Sequence, residues 1–112
     1  MERIIKIDQA MIDRYGRING DNDILHYDHD YAVRRGFRGT LAHGLMLLGY
    51  ATELATKEWG KDWHYRGEIE VRFVGPVIPG DNVRVRISDE GSVTADVPSG
   101  HAMIGRAGLR PR

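Results

Sequence analysis

Asp21 and His26 stand five positions apart in the segment Asn19-Gly20-Asp21-Asn22-Asp23-Ile24-Leu25-His26, and His43-Gly44 follows seventeen residues later at the head of a long apolar stretch. A carboxylate and an imidazole on one tight turn can share a water molecule and pass its proton between them. A glycine amide at a helix start can polarise a carbonyl beside them, because the first N–H groups of a helix have no partner within it. These are the parts required to add water to an activated double bond. Taken singly, each has an ordinary alternative: Gly-Asp-Asn-Asp is turn chemistry, and a lone histidine before a helix is more often a surface residue than a catalyst. The joint spacing of the three is what points to a site.

Composition removes several other classes. A chain of 112 residues has room for one core, so residues 1–112 are expected to form one domain. Lys plus Arg equals Asp plus Glu at 16 each, which leaves no electrostatic footprint for nucleic acid or an anionic membrane. Without cysteine there is neither a disulfide framework nor a thiolate metal site, and the opening Met1–Lys6 lacks the apolar run of a signal peptide. A cytoplasmic location is the expectation. The longest apolar window, Leu41–Ala55, is interrupted by His43, Thr52 and Glu53 and is too short to span a bilayer.

The elements that must position these residues follow from hydrophobic period. Ile4, Ile5 and Ile7 predict a first strand, after which Asp8 caps a brief helix through Met11, Ile12 and Tyr15 that ends near Gly16. Residues 19–30 form a polar loop with four aspartates, and a second short helix runs from about Asp28 to Arg35 and closes at Gly36. Thr40 is the expected N-cap of a long helix to about Glu58, stopped at Trp59-Gly60. Its apolar residues cover nearly the whole circumference, as in a helix surrounded by protein. Gly49 within it suggests close contact with a sheet.

The second half alternates. Ile69, Val71 and Phe73 interleave with Glu68, Glu70 and Arg72; Val83, Val85 and Ile87 do so with Arg84 and Arg86; Val93, Ala95 and Val97 repeat the pattern beyond a turn at Asp89-Glu90-Gly91. Pro98-Ser99-Gly100 leads to a last strand, Ala102–Leu109. The fold class is therefore α+β, an antiparallel sheet curled around one central helix.

At this point the order of motifs resembles the MaoC-like, hot-dog-fold family of (R)-specific enoyl-CoA hydratases and 3-hydroxyacyl dehydratases. The resemblance is carried by Gly20-Asp21, His26, Tyr31-Ala32, Gly36-Phe37 and Ala42-His43-Gly44-Leu45-Met46, then by Tyr65-Arg66-Gly67, Phe73, Gly75-Pro76-Val77 and Pro79-Gly80-Asp81. It implies a hot-dog fold, Asp21 and His26 as the catalytic pair, Gly44 as oxyanion donor, and Arg66 and Phe73 at the acyl pocket; His43 and Thr52 are further candidates to bind substrate, beside the ordinary readings of a histidine bonding the loop and a hydroxyl bonding a preceding carbonyl. It implies no metal and no cofactor, with a thioester of coenzyme A or acyl carrier protein as substrate. It further implies a homodimer or a higher oligomer of dimers.

One departure stands out. Where the family has Asn-Pro, two and three positions after the aspartate, this chain has Asp23-Ile24. The change removes an amide donor and a rigid proline from the loop, and it puts a second carboxylate where like-charge repulsion would raise the pKa of Asp21.

Hydration of a 2-enoyl thioester requires a proton taken from water, stabilisation of the enolate oxygen, and a proton given to Cα. Either Asp21 or His26 can act as base. An imidazole with a reference pKa of about 6.5 is better matched to neutral pH than a carboxylate of about 3.9, which favours His26 with Asp21 positioning the water. Two rival readings stand beside this one. His26, Asp28, His29 and Asp30 offer nitrogen and oxygen ligands for a metal-binding module. A hot-dog unit can also hydrolyse acyl thioesters, or bind them without catalysis. Arg34, Arg35 and Arg38, or Arg84 and Arg86, could meet the phosphates of a carrier, although solvated charge is the commoner explanation of such groups.

Overall fold

The computed structural model describes all 112 residues, Met1–Arg112. Strand β1 (Glu2–Lys6) leads into helix α1 (Gln9–Asn19), a 3-10 turn at Ile24–His26, helix α2 (His29–Arg34), the long helix α3 (Gly44–Trp59) and helix α4 (Lys61–Arg66). Four strands follow: β2 (Gly67–Phe73), β3 (Asn82–Ile87), β4 (Ser92–Val97) and β5 (Gly100–Leu109). They form one antiparallel sheet in the order β1-β3-β4-β5-β2. The last three strands in sequence are a meander, and the two earlier strands close its edges.

The alternation in the sequence becomes a two-faced sheet. Val83, Val85 and Ile87 of β3 and Val93, Ala95 and Val97 of β4 are buried, while Arg84, Arg86 and Ser92 between them are exposed. The buried face meets Met46, Leu47, Ala51, Leu54 and Ala55 of α3 in one core cluster of 18 residues. This is the expected arrangement of an antiparallel sheet on one long helix, with a solvated outer face.

Three local expectations are corrected and one helix is added. Helix α1 does not stop at Gly16 but runs to Asn19, where Gly20 at φ 76° provides the left-handed cap that a side chain would resist. Thr40 does not cap α3. The cap position is His43, and the 16-residue helix spans about 24 Å at 1.5 Å per residue. Helix α4 is the addition: six residues starting at a glycine stop carry too little periodicity to announce a helix. Finally, α3 is not surrounded by its own chain: Leu45 is 51% exposed and a Cβ at Gly49 would meet nothing within 4 Å. Gly49 is thus not explained by close contact with the sheet.

Candidate active site

Three short segments converge at the start of α3. Asp8 accepts a hydrogen bond from the Met11 amide and fixes the start of α1, whose last turn delivers the chain to Asp21. The loop that follows is held by side chains: Asn19 Oδ1 accepts from the Asp21 amide at 2.9 Å, Asp21 Oδ1 from the Asp23 amide at 3.0 Å, and Asp23 Oδ1 from the Leu25 amide at 3.0 Å. Asp23 therefore caps the 3-10 turn that carries His26. The acceptor half of an asparagine's work is retained by the aspartate. Tyr27 adds a bond from its hydroxyl to the Asp21 carbonyl at 2.5 Å. It reaches that carbonyl across Gly16, where a Cβ would stand 1.9 Å from the hydroxyl oxygen.

Asp21 Oδ2 lies 3.2 Å from His26 Nε2 and 3.2 Å from His43 Nδ1. The two imidazoles are stacked, with centroids 3.9 Å apart and planes at 25°. Side-chain exposure falls from 38% at Asp21 to 14% at His26 and 2% at His43, so solvent reaches the cluster from the carboxylate side. His26 Nδ1 is 2.7 Å from the Leu41 carbonyl oxygen. A carbonyl can only accept, so that nitrogen carries the proton, and in the neutral ring the unprotonated Nε2 lies beside Asp21. At 3.2 Å these two acceptors leave no room for an atom between them, but a water seated beside both can donate one proton to each.

The electrostatics differ from the sequence expectation. Asp23 does not raise the pKa of Asp21. The Asp23 amide hydrogen bond is the largest influence and pulls the Asp21 carboxyl below the usual carboxylate range, with the His43 hydrogen bond acting in the same direction. The Asp23 carboxylate is occupied with the Leu25 amide.

Gly44 opens α3, and no carbonyl of the chain accepts its N–H. It lines a cavity of 310 Å³ with Phe37, Leu41, Leu47, Phe73 and Val77 among its walls. The Phe73 ring covers this glycine so closely that a Cβ there would lie 3.1 Å from it. Asp21 and His26 do not line this cavity themselves; Leu41, whose carbonyl meets His26 Nδ1, and Gly44, next to His43, are the wall residues that link it to them. An apolar chamber of this size, ending at an unpaired helix-start amide, fits a small acyl group with its carbonyl at the amide.

The remaining residues singled out from sequence are distributed as follows. His43 joins the Asp21 cluster, and Phe73 joins the cavity. Thr52 turns its hydroxyl back to the Gly49 carbonyl at 2.9 Å, the local bond common for threonine in a helix. Arg66 sits at the opposite end of β2 from Phe73, where it donates to the Arg110 carbonyl at 2.7 Å; the structure does not bring it to Asp21. The set His26, Asp28, His29 and Asp30 is not gathered either, because Asp28 caps α2 through the Tyr31 amide and the His29 ring lies against Gly39. The ligand atoms that do cluster, within 4.8 Å, are those of Asp21, His26 and His43. Their stacked rings direct in-plane lone pairs side by side rather than toward one point, a poor start for a tetrahedral centre. Arg34 and Arg35 lie over the Tyr31 ring, Arg38 pairs with buried Asp81 at 3.7 Å, and Arg84 and Arg86 share Glu2.

A family model described as MaoC like domain matches residues 1–105. The chain belongs to the MaoC-like family. Among curated relatives, this MaoC-like domain is 34% identical over 77 residues to peroxisomal multifunctional enzyme type 2 of Drosophila melanogaster, covering 68% of the chain and 13% of that protein. It is 35% identical over 77 residues to a peroxisomal hydratase-dehydrogenase-epimerase of Saccharomyces cerevisiae, covering 69% of the chain and 8% of that protein. The chain spans about a tenth of the length of these curated relatives. Among solved structures, a MaoC-like dehydratase from Phytophthora capsici superimposes with a TM-score of 0.80 at 28% identity, over 100% of the chain and 40% of that one. An (R)-hydratase from A. caviae involved in PHA biosynthesis superimposes with a TM-score of 0.78 at 18% identity, over 98% and 93% respectively, which speaks for the fold alone. The hot-dog fold expected from the motif order is the fold of this MaoC-like domain, and its family is one of hydro-lyases. No helix is long and apolar enough to cross a membrane.

Proposed function

We propose that the chain catalyses the reversible syn hydration of a 2-enoyl thioester to a (R)-3-hydroxyacyl thioester, with Asp21 and His26 as the catalytic pair and Gly44 as the oxyanion donor. The observation that carries this reading is the approach of Asp21 Oδ2 to His26 Nε2 at 3.2 Å, beside an unpaired amide that lines an apolar cavity.

In the hydration direction a water molecule is held beside the carboxylate and Nε2, with one proton toward each. His26, with its Nδ1 proton committed to Leu41, takes one proton as the water oxygen bonds to Cβ. The π electrons move onto the thioester carbonyl, and the Gly44 amide and the positive end of α3 stabilise the resulting oxygen charge. The dyad then gives a proton to Cα on the same face. Every atom comes from water and substrate, so the reading requires no cofactor and no metal. His43 serves by holding Asp21 ionised and in place, and Phe73 by walling the acyl cavity.

The carrier is a thioester of coenzyme A or of a carrier protein. Arg35 and Arg38 flank Phe37 at the cavity wall and are exposed to meet its phosphates. The cavity volume of 310 Å³ lies at the lower end of small-molecule sites, which favours a short acyl group. The chain is further read as a homodimer, supported by Leu45, Phe73 and Val74, which are large apolar side chains left about half exposed.

The test is a panel of 2-enoyl and (R)-3-hydroxyacyl thioesters of graded length, run on wild type, Asp21→Asn and His26→Ala. Loss of the conjugated enoyl absorbance with the thioester intact, in wild type only, is the expected result. Release of free thiol would indicate a hydrolase, and equal rates in all three proteins would remove the site assignment.

A further inference from the structure

The ring of His26 is fixed by Leu41, but something must fix Leu41 and the backbone of His26 relative to one another. The side chain of Gln9, in the first turn of α1, spans the two segments. Its Nε2 donates to the His26 carbonyl at 2.8 Å and to Asp13 Oδ1 at 2.9 Å, and its Oε1 accepts from the Thr40 hydroxyl at 2.6 Å. Thr40 is 3% exposed and adjoins Leu41, whose amide donates to the Leu25 carbonyl at 2.9 Å and whose carbonyl takes the His26 Nδ1 proton. A closed cycle therefore runs from Gln9 to the His26 main chain, along that residue to its ring, across to Leu41, back one residue to Thr40 and again to Gln9.

Each hydrogen-bonding group of the Gln9 amide has a partner that only it can serve. Both partners of Nε2, a carbonyl and a carboxylate, can only accept, which fixes the amide's orientation. Glutamate in its place would lose both donors and set a second carboxylate against Asp13. Methionine would keep the shape and lose all three bonds. At Thr40, serine retains the hydroxyl whereas valine removes it at nearly constant volume.

We infer that Gln9 and Thr40 are positioning residues of the reaction, holding the His26 imidazole in the tautomer and place that keep Nε2 beside Asp21. Neither touches substrate. The inference rests on the hydratase reading above, and two separate measurements keep the two apart. The first is steady-state kinetics with a short 2-enoyl-CoA on wild type, Gln9→Met, Thr40→Val and Thr40→Ser. Gln9→Met and Thr40→Val are expected to lower kcat at least about tenfold with KM changed less than about threefold, because a base displaced by a fraction of an ångström still binds but no longer reacts. Thr40→Ser is expected to stay within about threefold of wild type.

The second measurement needs no turnover: the 15N and 1H resonances of the His26 ring. In wild type the Nδ1 proton is protected by its bond to Leu41; in Gln9→Met and Thr40→Val that proton exchanges faster and the ring samples both tautomers, while Thr40→Ser resembles wild type. Wild-type His26 resonances in folded Gln9→Met and Thr40→Val would overturn the inference, as would unchanged kcat. If wild type itself turns over no enoyl thioester, the hydratase reading fails, and the ring resonances still decide whether Gln9 and Thr40 set the imidazole.

Discussion

At the level of single residues, the site is a carboxylate shared by two imidazoles of unequal role. His26 keeps an unprotonated Nε2 beside Asp21 because Leu41 claims its other nitrogen; His43, nearly sealed from solvent, holds the carboxylate in place. In the proposed reaction Asp21→Asn keeps the size but removes the charge that would orient the water, and His26→Ala removes the base. Each is expected to lower kcat by about 10²–10⁴-fold, measured by enoyl absorbance, with the fold intact by circular dichroism. The depressed pKa of Asp21, caused first by the Asp23 amide, has a consequence for stability. Because the native value lies below the unfolded one, the ionised carboxylate stabilises the fold at neutral pH, and that contribution is lost as pH falls through the native value. The stability gap between wild type and Asp21→Asn should be widest above about pH 4 and close below it, as followed by thermal melts across the acid range. A gap that widens on acidification would contradict the assignment.

At the level of elements, the site depends on two close approaches that glycine permits. Gly16 lets the Tyr27 hydroxyl reach the Asp21 carbonyl across α1, and Gly44 lets the Phe73 ring lie over the start of α3. Gly16→Ala favours helix by propensity, by roughly 1 kcal/mol, yet places a methyl where the hydroxyl stands. The clash decides: Tyr27 should be expelled and kcat should fall, with Tyr27→Phe giving a milder loss because it deletes the bond without moving the loop. Gly44→Ala must displace Phe73, a side chain 47% exposed and free to swing, so the expected effect is a raised KM and an altered chain-length preference rather than unfolding. Thioester kinetics on the two variants separates these outcomes.

At the level of the whole molecule, the outer face of α3 and the edge strand β2 are less covered than an isolated domain would leave them. Leu45, Phe73 and Val74 are about half exposed, and the hydroxyls of Thr52 and Thr56 are turned back onto their own helix, which leaves a surface poor in polar groups that need water. Phe73 belongs both to this surface and to the cavity, so the proposed association and the proposed acyl binding would be coupled through it. Leu45→Glu should shift the sedimentation coefficient from dimer toward monomer and lower activity in a concentration-dependent way. A wild-type chain that sediments as a monomer at all concentrations would refute the dimer.

The sequence by itself determined the sheet, the long helix and the residues with chemical potential. Strand alternation and the apolar run of α3 are periodic signals repeated over many positions, and periodicity survives without tertiary context. The motif order placed Asp21, His26 and Gly44 in a family-like arrangement for the same reason, since spacing is a property of the chain. Tertiary structure decided the rest. That Asp23 lowers the pKa of Asp21 instead of raising it depends on where one amide points. That His43 shares the carboxylate while Arg66 binds the Arg110 carbonyl depends on which ends of α3 and β2 meet. That Thr40 leaves the helix cap to bond Gln9, thirty-one positions away, depends on α1 lying against the loop before α3. Such long-range polar contacts are single events with no repeat along the chain, and only the folded arrangement brings their partners together.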